Sequence, residues 1–167
     1  KGERAAFVGA NGAGKSTFLY QVSLLDTPTT GSIKLNGHIT DHMSNSEKTH
    51  YRLMELGYVF QDYSLLPELT ALENIMVPLL MQGISMPVAK KRAMEALEDV
   101  NLGNRSGNLP SELSGGEQQR VSIARAITHK PKILFADEPT ANLDSFSSRL
   151  VMDIFKKLNK EDKLTIV

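Results

Sequence analysis

Short, uninterrupted apolar runs recur along the chain, each with the length of one buried strand. They cover residues 4–8, 57–60, 133–136 and 164–167. An outer strand or hairpin arm is also expected at residues 32–35, because this segment lies between two glycines. Continuous apolar runs are typical of strands in parallel sheets, which are buried on both faces.

Helically spaced apolar residues occupy much of the chain between these runs. Residues 15–25 are predicted to form one helix, the middle of the chain is predicted to be helical, and the pattern at 150–158 predicts another amphipathic helix. Strands that alternate with helices indicate an α/β fold with a mainly parallel sheet flanked by helices. Ligands of such sheets bind at the carboxyl ends of the strands, which is where the glycine-rich and acidic motifs of this chain occur.

The composition is that of one globular domain, since 41% of the 167 residues are hydrophobic. The 19 basic and 19 acidic residues balance, so charge gives no reason to expect a nucleic acid partner. The sequence has no cysteine, which excludes disulfides and thiolate zinc sites. Its apolar runs are all much shorter than the ~20 residues that span a bilayer.

The segment Gly9-Ala10-Asn11-Gly12-Ala13-Gly14-Lys15-Ser16 matches the phosphate-loop pattern in full. Its glycines let main-chain N–H groups turn towards an anion, and the helix that begins near Gly14 adds the positive end of its dipole. Lys15 can reach the terminal phosphates of ATP, and the Ser16 hydroxyl can ligate Mg²⁺. The alternative is a turn that merely caps a helix, and the strand, lysine and serine together disfavour it.

Two adjacent carboxylates, Asp137 and Glu138, follow the predicted strand at 133–136. Successive side chains of a strand point in opposite directions, so the two are expected to have different roles. Asp137 is placed to hold Mg²⁺ through water, and Glu138 is placed to orient or deprotonate the attacking water. Taken alone, an acidic pair before Pro139 would be an ordinary turn.

A second glycine motif, Leu113-Ser114-Gly115-Gly116-Glu117-Gln118-Gln119-Arg120, begins the helix that runs towards Thr128. Serine followed three residues later by glutamate predicts a capping box. A cap does not need two glycines, which cost ~1 kcal/mol each inside a helix. They are explained if the bare helix end must also receive an anion.

With these motifs the chain resembles the ABC ATPase family, whose signature motif is the serine-glycine-glycine segment. The resemblance covers the whole chain, with Gln61 at the position of the family's Q-loop and Asp144 in its D-loop. It implies a phosphate-loop NTPase fold in which a helical subdomain carries the signature motif. One domain over 1–167 is expected to begin and end inside a larger unit, with a RecA-like core at 1–62 and 130–167 and a helical subdomain at 63–129.

The resemblance also implies which residues act. Glu138, Lys15 and Gln61 would be catalytic, while Ser16, Gln61 and Asp137 would hold Mg²⁺. The expected ATP-binding residues are Gly9, Ala10, Asn11, Gly12, Ala13, Gly14, Lys15, Ser16 and Thr17. Two subunits would associate head to tail, so that Ser114, Gly115, Gly116 and Glu117 contact ATP bound to the partner. An aromatic residue before position 1 would stack on adenine, and a switch histidine would follow Val167.

Within the family the chain looks most like the lipoprotein-releasing and macrolide-export type of ATP-binding subunit. The stretches that carry this similarity are 24–31, 65–74, 110–112 and 137–144. The implied function is ATP hydrolysis that powers transport across a membrane, by a cytoplasmic subunit held at the inner membrane face by a permease. A soluble ABC ATPase acting on ribosomes or DNA is the alternative. The four histidines, His38, His42, His50 and His129, are expected at the surface.

Overall fold

The structure is a computed structural model that describes residues 2–167, and its elements alternate as the apolar pattern predicts. In chain order they are α1 (Lys15–Val22), β1 (Lys34–Leu35), β2 (His38–Ile39), α2 (Asn45–Glu55), β3 (Leu56–Val59), α3 (Ala71–Met81), α4 (Met86–Asp99), α5 (Gly115–Ile127), β4 (Ile133–Ala136), α6 (Ser145–Glu161) and β5 (Thr165–Ile166). Short 3₁₀ turns at Gly103–Arg105 and Pro110–Glu112 lie between α4 and α5.

A parallel sheet in the order β3-β4-β5 forms the centre of the fold. β3 and β4 are in register from Leu56 opposite Ile133 to Val59 opposite Ala136. Neighbouring residues of β4 pack in separate cores on opposite faces, since Leu134 joins the larger apolar cluster and Phe135 the smaller one. A parallel sheet covered on both faces confirms the predicted α/β class. The expected hairpin arm is β1, which pairs antiparallel with β2.

The strand predicted at residues 4–8 is wrong. Only Arg4 forms a bridge, to Ile166, and Val8 is 95% exposed. A strand needs main-chain partners, and those on this side come from β5. The N–H and carbonyl of Val167 both bond to β4, and among residues 2–167 no strand lies beside residues 6–8.

The helices α3, α4 and α5 pack against one another and share one apolar core with the sheet and α6. The amphipathic pattern of α6 is confirmed, because Val151, Ile154, Phe155 and Leu158 are buried. Since this core continues from the helices to the strands, the boundary of a helical subdomain at 63–129 stays a prediction. Within residues 2–167, each helix is too short or too polar to cross a membrane.

Candidate ATP-binding site

The phosphate loop ends in a helix terminus without a side-chain cap. Gly14 is the N-cap of α1 in a left-handed conformation (φ 88°), which glycine adopts without strain. The N–H groups of the next residues, Lys15, Ser16 and Thr17, make no hydrogen bond to any residue of 2–167. The Lys15 ammonium donates to the carbonyls of Gly9 and Ala10, each at 3.2 Å. The loop therefore presents free donors and one cation where a phosphate would bind.

The two predicted carboxylates meet this loop from the end of β4, more than a hundred residues later. The Ser16 hydroxyl donates to Asp137 Oδ1 at 3.1 Å. The Lys15 ammonium lies 3.5 Å from Glu138 Oε1. The Asp137 side chain is buried, whereas that of Glu138 is 40% exposed. The pair thus divides as expected, with one carboxylate beside the hydroxyl and the other facing solvent beside the lysine.

Glu138 has an unusual backbone conformation, with φ at +43°. The left-handed region is unfavourable for a residue that has a Cβ, and such residues concentrate at functional sites. Here the turn is closed by the N–H of Ala141, which donates to the Glu138 carbonyl at 3.0 Å. The change of direction lets the Glu138 side chain leave the sheet beside the phosphate loop.

Ser16 and Asp137 fit a magnesium site, because a hydroxyl and a buried carboxylate are hard oxygen ligands. Magnesium is usually held by one or two carboxylates together with substrate phosphates and water, and the open phosphate loop lies beside these two residues. Gln61, the third predicted ligand, is exposed. Its carbonyl accepts from Asn142 Nδ2 at 3.2 Å, and in residues 2–167 its side chain makes no hydrogen bond to Ser16 or Asp137.

The signature segment forms the predicted capping box at the start of α5. The Ser114 hydroxyl accepts from the N–H of Glu117, and the Glu117 carboxylate accepts from the N–H of Ser114 at 2.8 Å. The bond from the Ser114 N–H lowers the pKa of the Glu117 carboxyl, and the Ser114 hydroxyl, which donates at 2.9 Å, and Arg105, at 3.2 Å, add to the effect. Within residues 2–167, no hydrogen bond or ion pair joins this segment to the phosphate loop. The N-terminal ends of α1 and α5, which both favour an anion, are therefore separate within one chain.

Asp144, the predicted D-loop residue, is the N-cap of α6. Its carboxylate accepts from the N–H groups of Phe146 and Ser147 and from the Ser147 hydroxyl. The Ser147 hydroxyl is the largest cause of a lowered Asp144 pKa. Ser147 in turn packs against Gly116 of the signature segment, so the first turn of the helix that Asp144 caps is in direct contact with the signature segment.

Two polar residues of α5 were given no role at the site by the sequence. Gln119, which is 1% exposed, donates to the Pro139 carbonyl at 2.7 Å. Arg125 donates to the carbonyls of Ser64 and Tyr63, at 2.6 and 2.9 Å. The helical pattern of the sequence could have shown that both residues lie on the buried side of this helix. It could not have identified their hydrogen-bond partners.

His129 corrects one prediction. The other three histidines are exposed, as expected, but His129 is half-buried and its Nε2 lies 2.9 Å from the Leu56 carbonyl. Burial lowers the pKa of His129, and the Leu56 carbonyl only partly offsets this effect. The residue follows the C-terminal end of α5 and packs onto the start of β3, which its sequence position alone did not reveal.

A phosphate loop followed by a helix, with a buried aspartate and an exposed glutamate at the end of a parallel strand, defines a nucleoside triphosphatase of the phosphate-loop class. The profile of the family described as "ABC transporter" matches residues 1–141. The chain belongs to this family, and it is an ATPase of the ABC type.

Curated relatives agree with this assignment. The "Lipoprotein-releasing system ATP-binding protein LolD" of Aquifex aeolicus is 51% identical over 160 residues, which are 96% of this chain and 71% of the relative. The protein of the same name from Bdellovibrio bacteriovorus is 47% identical over 167 residues, covering 100% of this chain and 76% of the relative. These relatives support a transport ATPase and give no support to an action on ribosomes or DNA.

Solved structures show the same fold. A dimeric post-hydrolysis state of the ATP-binding cassette MJ0796, bound to ADP and Pi, matches with a TM-score of 0.87 and 41% identity, covering 95% of this chain and 70% of that chain. Another dimeric structure of MJ0796, described as a bacterial ABC transporter cassette, matches with a TM-score of 0.86 and the same identity and coverage.

Proposed function

We propose that the chain is the ATP-binding and ATP-hydrolysing subunit of a lipoprotein-releasing transporter, working as a dimer on a membrane permease. The observation that carries this proposal is the meeting of Lys15 and Ser16 with Asp137 and Glu138. It joins a phosphate-binding surface, a metal-ligand pair and a candidate base in one place. The cargo follows from the relatives, which are named as lipoprotein-releasing proteins.

Binding of ATP rests on the loop 9–14 and the first turn of α1. The free N–H groups of Lys15, Ser16 and Thr17 face the same helix end and would bind the phosphate oxygens. The Lys15 ammonium would exchange its contacts with the Gly9 and Ala10 carbonyls for contacts with the terminal phosphates. This exchange should cost little free energy, because the hydrogen bonds that are broken are 3.2 Å long and exposed to solvent.

Ser16 and Asp137 would hold Mg²⁺, with Gln61 reaching the same ion from the end of β3. When bound, the ion supplies positive charge that offsets the charge of the phosphates. Asp137 is well suited to this role, because its main-chain N–H donates to the Val59 carbonyl at 3.0 Å and fixes the residue to β3. A carboxylate attached to two strands keeps its position when the loops around it move.

Glu138 would orient the attacking water and accept its proton. The side chain is exposed enough to reach water, and it lies 3.5 Å from the Lys15 ammonium, which would contact the terminal phosphates. Under this proposal, Lys15 binds the terminal phosphates and Glu138 acts on the attacking water. The two would separate when ATP binds, since the Lys15 ammonium then turns to phosphate and frees the carboxylate.

The dimer is proposed to be head to tail, with the signature segment of each subunit on the ATP of the other. Ser114 is exposed at the start of α5, and the N-terminal end of that helix favours an anion. In one chain this end has no connection to the phosphate loop, whereas a partner could close over it. The dimeric cassettes among the solved structures are consistent with this arrangement.

The surface that follows Gln61 is proposed to contact the permease at the inner face of the membrane. Tyr63 and Ser64 both have positive φ, so the chain turns sharply there before it enters α3. Leu66, on this turn, is 44% exposed. Purification of the protein from membranes, followed by identification of the proteins that accompany it, tests this part directly.

Substitution of the candidate base tests the catalytic assignment. Glu138→Gln should slow ATP hydrolysis by roughly 10²- to 10⁴-fold, the usual contribution of a positioned base, while ATP binding persists and ATP-bound dimers accumulate. Glu95→Gln, on the exposed face of α4, is the matched control and should hydrolyse ATP normally. Loss of ATP binding in Glu138→Gln, or near-normal turnover, would contradict the role given to Glu138.

A further inference from the structure

Gln119 is a polar residue in a position where an apolar one would pack. It lies on the buried face of α5 among core residues and is 1% exposed. Its Nε2 donates to the Pro139 carbonyl at 2.7 Å, whereas its buried Oε1 has no hydrogen-bond partner in residues 2–167. Rotating the amide would not help, because it would place Oε1 against the Pro139 carbonyl oxygen. Gln119 thus donates a hydrogen bond to the Pro139 carbonyl, while its own buried Oε1 stays without a partner in residues 2–167.

The carbonyl that receives this donor lies next to the candidate base. Pro139 directly follows Glu138, whose φ of +43° is unfavourable for a residue with a Cβ. Such a conformation persists only where the surroundings determine it. The Glu138 carbonyl accepts from the N–H of Ala141, within the turn, and the Pro139 carbonyl accepts from Gln119, outside it. A bond from Asn142 to the Gln61 carbonyl also ties the end of the turn to another segment.

We propose that Gln119 is a positioning residue that holds the turn after β4, and with it the Glu138 carboxylate, in the orientation needed for ATP hydrolysis. The inference rests on the proposed function, which gives Glu138 its role towards water. Gln119 does not contact substrate; it acts through the main chain of Pro139. A glutamine kept only for packing would not need an unsatisfied buried oxygen, which is costly in a protein interior.

The position of Gln119 also connects the two halves of the composite site. It lies five residues after Ser114, a distance of about 7.5 Å along a helix that rises about 1.5 Å per residue. α5 therefore begins at the segment proposed to contact the partner's ATP and, less than two turns later, holds the turn that carries Glu138. A displacement of this helix would reach that turn through the hydrogen bond from Gln119 to the Pro139 carbonyl.

Removal of the donor is the first test. Gln119→Leu should lower kcat for ATP hydrolysis by about 10- to 100-fold, because small displacements of a catalytic group have effects of this size. The Kd for ATP should change by less than about threefold, since the phosphate loop is untouched. Gln82→Leu is the matched control, because Gln82 Nε2 donates to the Leu53 carbonyl at 2.8 Å, between α3 and α2. It removes the same kind of bond and should leave kcat unchanged.

A titratable replacement separates positioning from general stability. In Gln119→Glu a protonated carboxyl can donate to the Pro139 carbonyl, whereas an ionised one repels it. Burial raises the pKa of a carboxyl group, so the kcat of Gln119→Glu relative to wild type should rise as the pH is lowered from about 8 to about 6. The same ratio for Gln119→Leu should stay flat. A flat ratio for Gln119→Glu would overturn the proposal.

Combination with Glu138→Gln shows whether Gln119 acts through the base. If it does, Gln119→Leu should cause no further loss once Glu138 has been replaced. An equal loss with and without Glu138 would overturn the inference. A kcat of Gln119→Leu within about twofold of wild type, together with an inactive Glu138→Gln, would also overturn the inference. That result would leave the proposed function intact. Near-normal turnover of Glu138→Gln itself would overturn both.

Discussion

Gly116 lies where the first turns of α5 and α6 meet, and alanine at this position should separate them. A Cβ at Gly116 would lie 2.5 Å from Ser147 Oγ and 2.8 Å from Ser147 Cβ. Non-bonded carbon atoms prefer about 3.5–4.0 Å, so one helix must move by roughly 1 Å. Rotation of Ser147 gives no relief, because its hydroxyl donates to Asp144 at 2.6 Å and its Cβ is fixed to the backbone.

The expected magnitude is a balance of two effects. Alanine is the better helix former, by about 1 kcal/mol relative to glycine. Overpacking of a tight interface costs about 1–3 kcal/mol, and here the clash involves an atom that cannot rotate away. The clash should outweigh the gain in helix propensity. Gly116→Ala should therefore lower the free energy of unfolding by about 1–2 kcal/mol, which is a fall in Tm of about 3–6 °C for a domain of this size.

Thermal and urea unfolding without nucleotide measure this loss. The neighbouring Gly115→Ala is the matched control, because the one close contact of its new Cβ would be with the Tyr63 hydroxyl, at 2.9 Å and at the end of a side chain that can rotate, while Tyr63 Cζ and Leu143 Cδ2 would lie at ordinary distances of 3.7 and 4.0 Å. Gly115→Ala should be neutral or slightly stabilising. A Gly116→Ala protein as stable as Gly115→Ala would refute the argument.

A double-mutant cycle identifies the partner of the clash. Ser147→Gly removes both atoms that the new Cβ would meet, so Gly116→Ala should cost less in that background. The coupling free energy should be about 1–3 kcal/mol, within the range for residues in contact. Additive effects of the two substitutions would show that the cost arises elsewhere than at Ser147.

Three further predictions concern other parts of the molecule. In a titration with ATP, Lys15→Ala should weaken nucleotide binding by a single subunit, whereas Ser114→Arg should leave that binding unchanged and prevent dimer formation in gel filtration with ATP. Loss of ATP binding by the Ser114→Arg monomer would contradict the head-to-tail arrangement. Because burial lowers the pKa of His129, protonation favours the unfolded state and stability should fall as the pH drops below about 6.5; urea unfolding of His129→Gln, which keeps a donor for Leu56, should show a weaker dependence than the exposed control His42→Gln. Leu65→Ala should reduce stimulation of ATP turnover by the permease more than basal turnover, and equal losses in both would indicate destabilisation alone.

The motifs and several elements were predictable because their information is local. The phosphate loop, the capping box at Ser114 and the strand Ile133–Ala136 each depend on a few consecutive residues. The helix Asn45–Glu55 escaped prediction for a related reason. It buries none of its residues, so it lacks the apolar stripe that reveals a helix. Its capping box, formed by Ser44 and Glu47, was the one available signal.

The failures share a different cause, which is dependence on distant residues. The run at 4–8 has the composition of a strand, but a strand exists only beside a partner, and only Arg4 has one. Burial of His129 depends on how the end of α5 packs against β3. The hydrogen bond from Gln119 to Pro139 spans 20 residues. Sequence patterns report which face of an element is apolar, but they do not report which carbonyl a buried amide will meet.

Several contacts between distant residues converge on α5. Gly116 packs against Ser147, which donates to the D-loop residue Asp144. Gln119 donates to the Pro139 carbonyl in the turn that carries Glu138, and Arg125 donates to the carbonyls of Tyr63 and Ser64 beyond Gln61. Three loops that border the candidate site are thus attached to one helix at intervals along its length. A helix moves as a unit, because its internal hydrogen bonds resist bending. We therefore expect a displacement of its N-terminal end, where the signature segment lies, to reach these three loops, whereas the phosphate loop leads into a different helix, α1.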